Sequence, residues 1–144
     1  MKAARFGTIL LVLFAGLSII GCSKQTTVPV YPVHGQVLLN GKPLADAIVS
    51  FHAQSGNDHA AYPSAHTDAD GHFSLTTHAA GDGAPEGDYS ISLVCFRSRP
   101  VKKNSGGHAE NVVPLRYASP SSSGLTAKVV AGANELQPLK LKSF

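Results

Sequence analysis

Between Val33 and Val94 the sequence keeps changing sides. Four runs, Val33-His34-Gly35-Gln36-Val37-Leu38-Leu39, Ala47-Ile48-Val49-Ser50-Phe51, His72-Phe73-Ser74-Leu75-Thr76-Thr77 and Tyr89-Ser90-Ile91-Ser92-Leu93-Val94, alternate apolar or small residues with polar ones. Successive side chains of a strand point to opposite faces, so this period of two puts one face on a core and the other in water. A helix repeats every 3.6 residues and would scatter the same residues around its surface. Each run stops at a stretch rich in Gly, Asp, Asn or Pro. The pattern is that of short antiparallel strands joined by turns, and it predicts an all-β chain folded as a small β-sandwich.

The chain opens differently. Lys2 and Arg5 precede an apolar run from Phe6 to Ile20, about 15 residues long. A spanning helix needs roughly 20, so this is read as a cleaved targeting segment. The run ends in Ile19-Ile20-Gly21-Cys22. An ordinary secretory signal with a chance cysteine would leave that order of charge, apolar run, small residue and Cys unexplained. The sequence resembles the lipobox of bacterial lipoproteins, which implies cleavage before Cys22 and lipidation of its sulfur and new amino group. Several acyl chains, each contributing about 0.8 kcal/mol per buried methylene, would hold the chain on a membrane. The expected divisions are residues 1–21 as signal peptide, 22–32 as lipidated Cys and flexible tether, and 33–144 as one domain.

Loss of residues 1–21 from 144 leaves 123, enough for one core. It also takes Lys2 and Arg5 from the 12 basic residues, leaving 10 against 9 acidic ones, so the basic balance of the whole chain does not point to nucleic acid. With Cys22 lipidated, Cys95 has no partner for an internal disulfide. It continues the parity of Tyr89, Ile91 and Leu93 and is read as a small buried residue. Residues 23–32 have two prolines and no apolar face, and read as a tether.

Turn chemistry locates the joints. Asn40-Gly41 is a hairpin signal because both central residues of its turn take positive φ. Asp68-Ala69-Asp70-Gly71 suits a turn whose Asp carboxylate accepts backbone N–H groups before Gly in the left-handed region. Gly87 ends a Gly-rich loop, and Tyr89 enters a late strand where its hydroxyl can anchor the corner of a sandwich. Pro138 cannot donate to a ladder, so the final strand, 135–142, is expected at an edge or interrupted.

These residues carry a resemblance. Pro32-Val33-His34-Gly35-Gln36-Val37, continued by Asn40 to Phe51, then Thr67-Asp68-Ala69-Asp70-Gly71-His72-Phe73 and Pro85-Glu86-Gly87-Asp88-Tyr89, resemble the carboxypeptidase regulatory-like, or transthyretin-like, β-sandwich domains. The closing Val113-Pro114-Leu115-Arg116-Tyr117 is similar to small lipoproteins of planctomycete-type bacteria built on this domain. The resemblance implies a seven-stranded Greek-key sandwich and a noncatalytic module at the cell envelope. The hydroxyisourate hydrolase of this fold ends in Tyr-Arg-Gly-Ser, whereas this chain ends in Leu141-Lys142-Ser143-Phe144.

Three features invite chemistry. A calcium loop from Asp68 would need an oxygen ligand at position 5 and a bidentate Glu at position 12, where the chain has His72 and Ala79. Seven histidines invite a metal, with His66, His72 and His52 as weak candidates. His66 and His72 flank one turn and are expected as diagonal neighbours, with His52 or His59 nearby. The basic run Arg97 to Lys103 would suit acidic polymers or anionic headgroups, or is a solvated loop. No Gly-x-Ser-x-Gly marks a nucleophile. The sequence reading is therefore an envelope lipoprotein and not an enzyme, with no cofactor. Its expected partners are the membrane through Cys22 and an envelope protein or polysaccharide; no nucleic acid is expected, and the domain is read as a monomer. The alternative is a ligand or metal binder using the His-bearing face from His52 to His78.

Overall fold

The computed structural model describes residues 28–54, 61–98 and 109–143. Cys22, His59 and the Arg99 to Lys103 part of the basic run lie outside the described residues. The described chain is nearly all β. Its strands are β1 (Val30–Tyr31), β2 (Val33–Leu39), β3 (Lys42–Pro43), β4 (Ile48–Ala53), β5 (Ser64–His66), β6 (His72–Ser74), β7 (Ala84–Pro85), β8 (Gly87–Val94), β9 (Phe96–Ser98), β10 (Ala109–Asn111), β11 (Thr126–Val129), β12 (Asn134–Glu135) and β13 (Leu139–Leu141). A 3₁₀ turn (Leu115–Ala118) and one helical turn (Pro120–Ser123) precede β11. Among the described residues no helix is long and apolar enough to cross a membrane.

One sheet has the order β11-β8-β4-β5, antiparallel throughout. The other is built around β2, with β6 and β3 antiparallel to it and β12 and β13 parallel to it. Inward-facing Val33 and Val37 of β2, Val49 and Phe51 of β4, Phe73 of β6 and Tyr89, Ile91 and Leu93 of β8 fill the space between the sheets. The alternation read from the sequence thus lands on the core with the expected parity. Cys95 is fully buried and free, with its thiol toward the Ala45 carbonyl at 3.5 Å.

Several expectations change in detail. Val30 and Tyr31, assigned to the tether, pair with Pro85 and Ala84. The Asn40–Gly41 turn has φ of 52° and 79°, but its hairpin is only two residues long on the return side. After Pro43 the chain leaves for the other sheet, where β4 pairs with β5 and β8. The closing strand is parallel to β2, which a pattern of antiparallel hairpins did not foresee. It is interrupted as Pro138 required: Glu135 pairs with His34 and Leu139 with Val37, so one extra residue bulges out between them. Phe96–Ser98 and Ala109–Asn111 form a hairpin whose residues are mostly exposed, leaving no alternation to read.

Strand β6 ends at Ser74, short of the predicted Thr77, because Asp82 captures the backbone beyond it. Asp82 Oδ1 accepts the N–H of Thr77 at 2.7 Å, and Oδ2 accepts those of His78 and Ala79 at 2.9 Å each. Burial pushes this carboxyl up, but the three N–H groups and the nearby His78 outweigh it and hold it below the usual Asp value. A depressed carboxyl stabilises the fold above the unfolded-state pKa and loses that contribution as pH falls through the folded one. Asp82 is mostly solvated, so Asp82→Asn is expected to cost only about 1 kcal/mol at neutral pH. In paired urea titrations the gap between wild type and variant should be constant above about pH 5 and close below about pH 4.

Tyr89 closes the corner between β7 and β8. Its ring lies 5.6 Å from that of Phe51, and its hydroxyl donates to the Pro85 carbonyl at 2.8 Å. Burial pushes this hydroxyl up, so it stays a donor. Tyr89→Phe keeps the packing and leaves a buried carbonyl without its bond, an expected loss of about 1–3 kcal/mol in urea denaturation.

Candidate functional site

The outer face of the β2 sheet carries the polar half of the alternation. Pairing places Ser74, His34 and Glu135 on one rung across β6, β2 and β12, and His72 beside Gln36 on the next. His66 at the end of β5 and Asp68 in the following turn also line the hollow, with Leu136 and Pro138 of the bulge. The result is an open trough of about 610 Å³. Gly35 and Phe73 lie beneath it on the inward face of β2 and β6, where a Cβ at Gly35 would lie 2.6 Å from the Phe73 ring.

Some groups in the trough are already engaged. His34 Nδ1 meets Ser74 Oγ at 2.8 Å, and Gln36 Nε2 donates to the Asp70 carbonyl at 2.9 Å. Asp68 Oδ1 accepts the backbone N–H groups of Asp70 and His72, each at 2.9 Å. Two short bonds to one oxygen account for Asp68 as a turn residue. Gly71 completes that turn with φ of 74°, and a Cβ there would come within 2.6 Å of the Val37 carbonyl. The imidazoles of His66 and His72 and the carboxylate of Glu135, in contrast, have no hydrogen bond or ion pair among the described residues.

The histidines named from the sequence are separated by the fold. His66 and His72 do share the trough, as diagonal neighbours would. His52 lies on β4 in the other sheet, where Nε2 meets Ser92 Oγ at 2.8 Å. His78 sits in the loop held by Asp82. The face drawn from His52 to His78 is thus three places. Among the described residues no group of three or more His, Cys, Asp or Glu side chains could hold a metal ion.

His34 and Glu135 are the residues that sequence reasoning missed. The parity of β2 puts His34 outward, but only the pairing of β2 with both β6 and β12 brings it beside Ser74 and Glu135. Chemically, the trough offers two free imidazoles, a free carboxylate and an open approach, a set that forms hydrogen bonds to a polar surface. Of the remaining turn residues, Asn40 accepts from Ser143 N–H at 3.1 Å and Gly87 opens β8 opposite Val129.

Fold and trough together define an all-β sandwich with a polar groove on the outside of one sheet. A family model for a domain of unknown function, DUF6795, matches residues 33–85, the stretch from β2 to β7 that includes both strands of the trough's core. No curated protein matches the chain. Among solved structures, a 9R-lipoxygenase from Cyanothece is similar at 14% identity and a TM-score of 0.43, over 78% of this chain and 16% of that one. A DUF3823 family protein from Parabacteroides merdae is similar at 17% identity and a TM-score of 0.41, over 80% of this chain and 47% of the other. The chain spans less than half the length of either structure.

Proposed function

We propose that this protein is an envelope lipoprotein anchored through Cys22, whose carboxypeptidase regulatory-like sandwich is a noncatalytic module presenting the β2 face to a partner. The supporting observation is which polar groups are free. Thr67, Asp68, Asp82, Tyr89 and Asn134 hold backbone groups in place, while His66, His72 and Glu135 face solvent from one trough. A nucleophile needs a base within reach and a third group that orients the base. His34 and Ser74 are within reach, but Glu135 makes no hydrogen bond to His34 although it stands on the same rung. The rung serves better for recognition than for reaction.

Site-specific photo-crosslinking in living cells tests this reading. A crosslinker at position 72 is expected to capture one reproducible envelope component, and one at Lys128, in the other sheet, to capture none. Equal capture from both positions, or none from 72, contradicts it. The reading in which the trough holds a metal is separated by calorimetry with zinc: micromolar binding lost in His66→Ala, His72→Ala would favour it.

A further inference from the structure

We propose that the end of the sandwich opposite the chain's entry is a cationic saddle that binds a carboxylate-bearing polysaccharide. Two hollows flank the Asn40–Gly41 turn, and Asn40 lines both. The first, about 660 Å³, sets Lys140 and Lys142 beside Leu38 and Leu141. The second, about 370 Å³, sets Lys42 and Arg97 beside Leu39, Pro43 and Val112. Four cations line the pair and no acidic residue lines either. The His trough differs in just this respect, since Asp68 and Glu135 belong to it.

The three lysines carry the charge. Their side chains have no hydrogen bond or ion pair among the described residues, whereas Arg97 stands opposite Glu110 in the β9–β10 ladder. An ammonium group pairs readily with a carboxylate, and carboxylates repeated along one polymer can engage both hollows at once, which favours a polymer over its monomer. The apolar walls from Leu38, Leu39, Pro43 and Val112 offer flat contact for the C–H faces of sugar rings.

Position separates a glycan from a lipid surface. The chain enters at β1, which lies against β7 and so near the Gly87 end of β8. The saddle lies where β2 ends at Leu39 and β4 begins, the Val94 end of β8. The eight residues of β8 span the distance between the two ends, about 24 Å. The eight steps from Cys22 to Val30 reach about 28 Å only when fully extended. On anything short of a fully extended tether, a domain anchored at Cys22 holds this saddle away from its own membrane. The orientation rests on the anchoring reading; the charge of the saddle does not.

The test uses the full-length protein in nonionic detergent, passed over polygalacturonate beads and neutral dextran beads. Wild type is expected to be retained on polygalacturonate alone and released by salt. Each lysine near an anionic surface contributes on the order of fivefold, so Lys42→Glu with Lys140→Glu is expected to weaken binding at least about 30-fold. Lys128→Glu, at the chain-entry end, should leave it unchanged, and circular dichroism of all variants should match wild type. Lack of retention at low salt, retention equal in the double variant, or equal loss in Lys128→Glu overturns the proposal. So does a double variant that loses only the preference for phosphatidylglycerol over phosphatidylcholine vesicles, which would make the partner a membrane. If Cys22 carries no lipid, polymer binding persists and only the orientation fails.

Discussion

Gly83→Ala is expected to detach the first strand from the sandwich. At Gly83 the backbone has φ of 97°, and a Cβ there would lie 1.7 Å from the Tyr31 carbonyl oxygen and 2.4 Å from its carbon. No rotamer relieves a clash made by Cβ with backbone, so either the loop or β1 must move. The loop is pinned: Gly83 N–H donates to the Leu75 carbonyl at 2.9 Å, and its own carbonyl accepts from Thr77 Oγ1 at 2.6 Å. Strand β1 has only the two-residue ladder to β7. The variant should therefore lose that ladder and the packing of Tyr31 against the core. An L residue at positive φ costs about 1–2 kcal/mol, and overpacking a further 1–3 kcal/mol. The expected total is about 2–5 kcal/mol in urea denaturation, with fast hydrogen exchange at Tyr31 and Ala84. Slow exchange at both amides with unchanged stability would contradict the contact.

Thr67→Val is expected to be as damaging although it changes neither size nor shape by much. Thr67 Oγ1 donates to the Leu44 carbonyl at 2.6 Å and accepts from Ala47 N–H at 2.9 Å. Its backbone adds two more bonds, with Asp46 N–H at 3.1 Å and the Ala47 carbonyl at 2.9 Å. One buried threonine thus fixes the segment that carries the chain from one sheet to the other. Valine would leave a donor and an acceptor buried without partners, each costing about 1–3 kcal/mol. The expected loss is about 2–6 kcal/mol, and Thr67→Ser, which keeps the hydroxyl, should recover most of it. Equal losses for Val and Ser would assign the effect to the methyl group instead.

These two residues show where the sequence is legible. Alternation told inside from outside for β2, β4, β6 and β8, because burial on one face is a local property. Asn40–Gly41, Asp68 to Gly71 and Pro138 were readable for a similar reason, since their backbone needs are set by residue type. Gly83 was not, because its constraint comes from Tyr31, more than 50 residues earlier. Asn134 is likewise set from a distance: its side chain bonds Val130 N–H at 3.0 Å and the Gly132 carbonyl at 2.9 Å, and reaches the Pro32 carbonyl at 3.3 Å. The trough shows the same limit. His66 and His72 flank one turn and were paired from the sequence, whereas His34 and Glu135 join them only through non-local strand pairing.

Intact mass spectrometry of the protein extracted from membranes shows directly whether this β-sandwich is held at the envelope by Cys22. The predicted result is a chain beginning at Cys22 and carrying diacylglycerol with a further acyl group, and its absence from Cys22→Ser cells. A soluble mature chain beginning elsewhere, or an unprocessed chain of 144 residues without lipid, would contradict it.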